Sequence, residues 1–141
     1  MKIKRIASEE NFIMPKKGKE GDAGWDIYMP SAGTATGYPQ LIPLGFSLAI
    51  PKGWVALLLP RSGTGAKYGL ELNNTCGIID SNYRGEWKAC LRTKGGDVCS
   101  WNQGDRLLQF VIVQHLDEEL ELVEELDETN RGSTGFGDSG K

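Results

Sequence analysis

The sequence predicts an all-β protein of a single domain. Apolar residues recur in short runs that either alternate with polar ones or stay apolar throughout, the patterns of half-buried and buried strands. Gly and Pro punctuate the gaps between those runs, as the turns of a sandwich or barrel require. The 19 glycines are clustered along the 141 residues, which marks tight turns or backbone that something must approach closely. A chain of this length suits one domain with its own core, and it contains no internal repeat or linker.

"MKIKRI" reads as an edge strand through Ile3 and Ile6. "MPKKGKEGDAG" is a loop by composition, "WDIYMP" a short strand ending at Pro30, and "SAGTATGYPQ" a second loop. In "IPLGFSLAIP", Leu44, Phe46, Leu48 and Ile50 share one face and Gly45, Ser47 and Ala49 the other, a half-buried strand. Pro51-Lys52-Gly53 turns the chain, and "WVALLLP" follows, apolar on both faces and expected to be buried. "GTGAKYG" is the place for a short helix. "EWKACLR" alternates Trp87, Ala89 and Leu91 against charge, Lys94 to Asp97 makes a turn, and "RLLQFVIVQ" is another buried strand. "HLDEELELVEELDE" fits a helix through Leu116, Leu120 and Val123, or a strand through Leu120 and Leu122; its acidic residues are a solvated face in either case. "NRGSTGFGDSGK" has the composition of a polar tail, yet it carries a phosphate-type cation, Arg131, and a lone aromatic, Phe136.

Composition excludes several classes. Apolar residues make up 39% and charged residues 25%, with a net charge of −3, so no broad basic surface invites nucleic acid. Cys76, Cys90 and Cys99 are odd in number and form no CxxC pair, which argues against a disulfide framework and against zinc. No apolar run approaches a membrane span, and no apolar stretch follows the basic start as in a signal peptide. A reducing cytoplasm is the expected setting.

The residues suited to chemistry lie in separate segments. "PRSGTGAKYG" (60–69) sets Arg61 and Ser62 among glycines after a buried strand. Arginine can bond a phosphate through two N–H groups. A serine hydroxyl with neighbouring backbone N–H groups can cradle another. GxxxxGK[ST] is absent, so this is no Walker A loop, and by itself the segment reads as a turn with a surface arginine. Asp26, between Trp25 and Ile27, is either an exposed alternate position or a site residue, and carboxylates hold Mg²⁺, often through its waters. Asp22 and Asp105 suit turns, and Arg106 suits an ion pair with Asp105 ahead of Gln109. "CGIIDSNYRGEW" places Asp80 at the end of an apolar strand, with Tyr83 and Arg84 around the bend. His115, the only histidine, has no spaced partner, so no histidine-based triad is available.

The order of these segments is more specific than any one of them. "AGWDI" (23–27), "PRSGTGAKYG" (60–69), "GIIDSNYRGE" (77–86), "GDRLLQ" (104–109) and "RGSTGFGDSG" (131–140) resemble the five ordered motifs of the trimeric dUTPases, with compatible spacing over nearly the whole chain. Two positions depart from the usual pattern: Thr64 stands where the family often has Leu, and Thr134 where it often has Gly. Neither removes a chemical group.

The resemblance implies a jelly-roll-like β barrel over residues 1–130 and a C-terminal arm over 131–141 that closes on an active site. The working unit would be a homotrimer with sites shared between chains. Its reaction would be Mg²⁺-assisted hydrolysis of dUTP to dUMP and pyrophosphate, which limits uracil incorporation into DNA and supplies dUMP for thymidylate synthesis. Asp80 would be the base that deprotonates water for attack on the α-phosphorus, and would also bind the 3′-hydroxyl. Tyr83 would pack on the deoxyribose and exclude a 2′-hydroxyl. Asn74 and backbone groups near Gly77 and Ile79 would read uracil along a hairpin over 73–85. Arg61, Ser62, Gly63 and Gln109 would hold phosphates, with Arg131 arriving from another subunit. Asp26 would bind waters of the Mg²⁺, and Phe136, beside Gly137, would stack on the base. The related dCTP deaminases place a catalytic glutamate near the position of Cys90, where this chain has no carboxylate. A rival of another class is a binding protein that uses the fold to engage a regulator.

Overall fold

The computed structural model, which describes residues 1–130, 132 and 133, is built of eleven short strands; the stretch "IPLGFSLAIP", expected to be half-buried, is buried on both faces, since Ser47 is 5% exposed between buried Phe46 and Leu48. The strands are β1 (Lys2–Arg5), β2 (Trp25–Tyr28), β3 (Gly33–Ala35), β4 (Gln40–Pro43), β5 (Phe46–Ala49), β6 (Trp54–Pro60), β7 (Leu70–Leu72), β8 (Gly77–Ile79), β9 (Lys88–Thr93), β10 (Cys99–Trp101) and β11 (Arg106–Gln114). The one α-helix, α1 (Ser62–Tyr68), falls within "SGTGAKY" and ends at Gly69 in the left-handed conformation, φ 59°, which glycine adopts without strain.

Every pairing among the described residues is antiparallel, and none joins strands adjacent in sequence. One sheet has the order β2-β11-β6-β8, a second β4-β9-β7, and β1-β5 and β10-β3 are two-stranded. Such long-range antiparallel pairing is what a jelly-roll-like barrel requires. Among the described residues no helix is long and apolar enough to cross a membrane.

The core forms where the inward faces meet. Leu44, Phe46, Leu48 and Ile50 are all buried, as are Trp87, Ala89 and Leu91. The rings of Phe46 and Trp87 lie 5.2 Å apart, Trp87 meets Phe110 edge-on at 5.2 Å, and Trp25 stacks on Phe110 at 5.2 Å. This aromatic chain ties β5 and the residue just before β9 to β11 and β2. A fully buried large apolar side chain contributes roughly 1.5–3 kcal/mol, so the cluster is enough to fix how these sheets meet.

Several local expectations change. "SAGTATGYPQ" contains β3, because Gly33 lets the indole of Trp101 on β10 close over its backbone: a Cβ there would stand 2.4 Å from the ring. "IPLGFSLAIP" is two strands, broken at Gly45 with φ 78°. β6 buries only Ala56 and Leu58 fully; Trp54 is 40% exposed and Leu57 and Leu59 half-buried. Residues 73–85 are no two-stranded hairpin, since β7 pairs with β9 and β8 with β6. "HLDEELELVEELDE" is neither helix nor strand. It leaves the sheet after Gln114 without regular structure, with Leu116, Leu120, Leu122 and Leu126 all more than four-fifths exposed.

Candidate active site

The sheet β2-β11-β6-β8 positions the groups singled out by the sequence. Gln109 on β11 stands opposite Asp26 on β2 and opposite Leu59 on β6. Arg61 follows the end of β6 and Ser62 opens α1. Asp26, Arg61, Ser62 and Gln109 therefore line one cavity of about 610 Å³, together with Gly18, Lys19, Asp22, Ala23, Gly24, Arg106 and Val111.

Asp26 is the electrostatic centre of this cavity. It is 8% exposed, and a buried carboxylate stays charged only if it is paired. Its Oδ1 lies 2.8 Å from Arg61 Nε and its Oδ2 3.0 Å from Arg106 Nη1. Arg61 Nη1 also donates to the Arg106 carbonyl at 3.2 Å. Arg106 thus pairs across the sheet with Asp26, not with its neighbour Asp105, whose carboxylate accepts from Asn102 N–H in a turn. Alternation alone would have turned Arg106 to the side of Leu108 and Phe110; the register shift between Arg106 and Leu108 puts it on the side of Gln109 and Asp26. Gln109 Nε2 donates to the Pro60 carbonyl at 3.3 Å. Its seat depends on Gly24, since a Cβ there would stand 2.6 Å from Gln109 Oε1. Gly63 faces open space, with nothing within 4 Å of where its Cβ would be. Asp22 caps a turn, accepting from Lys19 N–H at 2.8 Å.

The second group lies at the other edge of the sheet. Ile79 ends β8 and Asp80 follows it, and with Ile78, Tyr83 and Lys88 they line a smaller cavity of about 190 Å³. Asp80 also borders a cavity of about 590 Å³ with Lys52, Arg84 and His115. The bend after Asp80 is closed by Tyr83 N–H to the Asp80 carbonyl at 3.1 Å, and Arg84 Nη1 donates to the Ser81 and Tyr83 carbonyls at 2.6 and 2.9 Å. Arg84 is structural here. Tyr83, 43% exposed, lies across Gly85 and donates its hydroxyl to the Glu86 carbonyl at 3.0 Å; a Cβ on Gly85 would stand 2.4 Å from that hydroxyl oxygen. Glu86 in turn accepts from Gly45 N–H at 3.1 Å. The ring is held from below, and its phenol is committed. Gly77 packs on Leu58, where a Cβ would meet Leu58 Cβ at 3.0 Å. Asn74 donates to the Cys76 carbonyl at 3.1 Å, and Thr75 turns the chain at φ 68°.

Asp80 and Arg61 stand at different levels of this sheet. Ile79 pairs with Ala56, whereas Arg61 lies beyond Pro60 at the far end of β6. Five residues of strand separate the levels of Ala56 and Arg61, roughly 17 Å at ~3.4 Å per residue. Arg131, Phe136 and Gly137 lie outside the described residues.

Among the described residues no three His, Cys, Asp or Glu side chains cluster as a metal cage. Asp26 offers one carboxylate, and each of its oxygens has a lone pair beyond the one given to arginine. That fits an Mg²⁺ whose inner ligands are phosphates and water, with Asp26 accepting from a metal-bound water. Burial pushes the thiol of Cys99 above its ordinary range, which makes it a poor nucleophile.

A protein-family model described as dUTPase matches residues 10–140. A protein of Corynebacterium glutamicum named deoxyuridine 5′-triphosphate nucleotidohydrolase is 39% identical over 141 residues, covering 99% of this chain and 95% of its own. The dUTPase of Staphylococcus bacteriophage 80alpha, solved with dUPNHPP, superposes with a TM-score of 0.87 at 27% identity, over 99% of this chain and 98% of its own. A mutant dUTPase from phage phi11 of S. aureus, described as revealing the coordination of a structural Mg(II) ion, superposes with a TM-score of 0.76 at 28% identity, over 89% of this chain and 98% of its own.

Proposed function

The chain belongs to the dUTPase family and is a nucleotidohydrolase of deoxyuridine triphosphate; we propose that it releases dUMP and pyrophosphate at sites built from more than one copy of itself, with Asp80 as general base. The observation that carries this division is the separation along β6. A base attacking the α-phosphorus must stand next to the phosphate chain, yet in one chain the level of Ile79, beside Asp80, and that of Arg61 lie about 17 Å apart along the strand. A symmetric oligomer brings Asp80 of one copy to Arg61 of another without changing either.

In this site Asp80, exposed at a strand end and fixed by the Arg84-stapled bend, takes the proton of the attacking water. Arg61, Ser62, Gly63 and Gln109 hold the phosphates. Arg61 is already oriented by Asp26, so little reorganisation accompanies binding. Mg²⁺, bound mainly by the phosphates, would supply charge neutralisation on the transferring group. Asp26 would receive one of its waters while Arg106 keeps the carboxylate paired. Asn74 and the backbone at Gly77 and Ile79 read the uracil edge; Arg131 reaches the phosphates from another copy, and Phe136, next to Gly137, covers the base. The three-copy arrangement has a second support. Leu116, Leu120, Leu122 and Leu126 stand exposed in the segment after β11, an apolar row that a monomer rarely leaves in water. Light scattering should give the mass of three chains; a fully active monomer would defeat the shared site.

Pyrophosphate release compared across dUTP, dCTP, dTTP and UTP tests the substrate. dUTP should lead by a wide margin, and equal release from dCTP would remove the uracil-reading assignment. The same assay tests how the sugar is read. Tyr83 holds its hydroxyl on Glu86 and its ring on Gly85, so discrimination against the 2′-hydroxyl is steric. Gly85→Ala displaces the ring and should lower the dUTP-to-UTP ratio of kcat/KM roughly ten- to a hundredfold. An unchanged ratio would mean that another group reads the sugar.

A further inference from the structure

Thr64 is the one buried residue of α1, and its hydroxyl bonds a strand far away in sequence. On β11, Arg106 is opposite Tyr28 and Leu108 opposite Ile27, so Leu107 is the extra residue of a bulge against β2. Bulges next to sites re-aim the side chains around them. The ladder to β6 ends at Leu108 and Pro60, and one more bond follows, Arg61 N–H to the Leu107 carbonyl at 2.9 Å. The Thr64 hydroxyl lies 2.8 Å from that same carbonyl. It is also 2.8 Å from the Arg61 carbonyl, but one hydroxyl proton serves one acceptor at a time. The Arg61 carbonyl already accepts from the N–H groups of Thr64 and Gly65, at 3.1 and 3.0 Å. Leu107, with a single other donor, is the better acceptor.

We propose that Thr64 is a positioning residue for phosphate binding: its hydroxyl pins the start of α1 to the β11 bulge and so holds Arg61 against Asp26 and beside Ser62. This rests on the dUTP reading above. A backbone bond at Arg61 alone leaves the helix free to pivot about that point. The second bond, three residues on, removes the pivot. The guanidinium contacts to Asp26 and to the Arg106 carbonyl then form on a fixed base. A leucine at this position fills the space but supplies no second bond.

The test separates the proposal from the reading beneath it. In nucleotide-free protein, exchange of the Arg61 Nε–H proton with water, followed by ¹⁵N NMR, reports the Asp26 contact directly. Thr64→Val keeps the shape without the hydroxyl and should exchange about three- to tenfold faster than wild type, the range set by one net hydrogen bond. Thr64→Ala should match it, and Thr64→Ser should behave as wild type. Affinity for a non-hydrolysable imido analogue of dUTP should fall in Thr64→Val by the same factor. Affinity for dUMP should fall less, because it lacks the two outer phosphates and so depends less on the Arg61 cavity. Equal exchange in Thr64→Val and wild type, failure of Thr64→Ser to restore it, or equal loss of both nucleotides overturns the proposal. Wild-type protein that does not bind the imido analogue overturns the dUTP reading instead, while the exchange measurement still judges the contact.

Discussion

Asp80→Asn should lower turnover by about 10²- to 10⁴-fold, the usual span for loss of a general base, while leaving affinity for a non-hydrolysable dUTP analogue within a few-fold. The asparagine keeps the size of the side chain and can still bond the 3′-hydroxyl, but it cannot take a proton. Little else should change. Asp80 is exposed and makes no side-chain hydrogen bond or ion pair among the described residues, and the bend it opens is closed by backbone and by Arg84. The melting temperature should therefore match wild type. Single-turnover rates and equilibrium binding measured side by side decide the matter. Near-normal turnover in the variant would show that a different group activates water.

Arg61→Ala should be the other severe change, and it should act on both function and stability. The alanine loses a charge-assisted contact to phosphate, and kcat/KM should fall by roughly 10²- to 10³-fold, mostly through weaker triphosphate binding. Among the described residues it also leaves buried Asp26 with Arg106 as its one remaining cation. An under-paired buried carboxylate costs about 1–3 kcal/mol, visible as a melting temperature lower by several degrees. Arg61→Lys should fall between, because the ammonium keeps the charge but not the fork that spans Asp26 Oδ1 and the Arg106 carbonyl. A full-strength Arg61→Ala enzyme would remove the phosphate assignment. The two inactive variants also test each other. If each site draws Asp80 from one chain and Arg61 from another, an equimolar mixture allowed to exchange subunits should regain about one quarter of wild-type activity, the chance that both donors are intact. No recovery would place both residues in one chain's site.

What the sequence determined by itself was local or ordered. Alternation at Leu44, Phe46, Leu48 and Ile50, and at Trp87, Ala89 and Leu91, specified buried faces because a strand's side chains alternate whatever it later pairs with. The closing glycine of "GTGAKYG" ends a helix that begins one residue before the segment, at Ser62, and the order of five short motifs named the family. Partners across the sheet were not legible, because nothing in a strand's own residues says which distant strand will lie beside it. Arg106 sits next to Asp105 in sequence, yet it bonds Asp26 because β11 lies against β2. Residues 73–85 look like a hairpin, but β7 and β8 find different sheets. The acidic leucine-rich segment fitted two periodicities and adopts neither, and among the described residues its leucines are left exposed. Thr64 read as a harmless departure from a pattern, and only the bulge at Leu107 gives its hydroxyl an acceptor. The distance between Asp80 and Arg61 belongs to the same class: how far apart they stand in one chain is set by the register of β8 on β6, and that register is a property of the folded sheet alone.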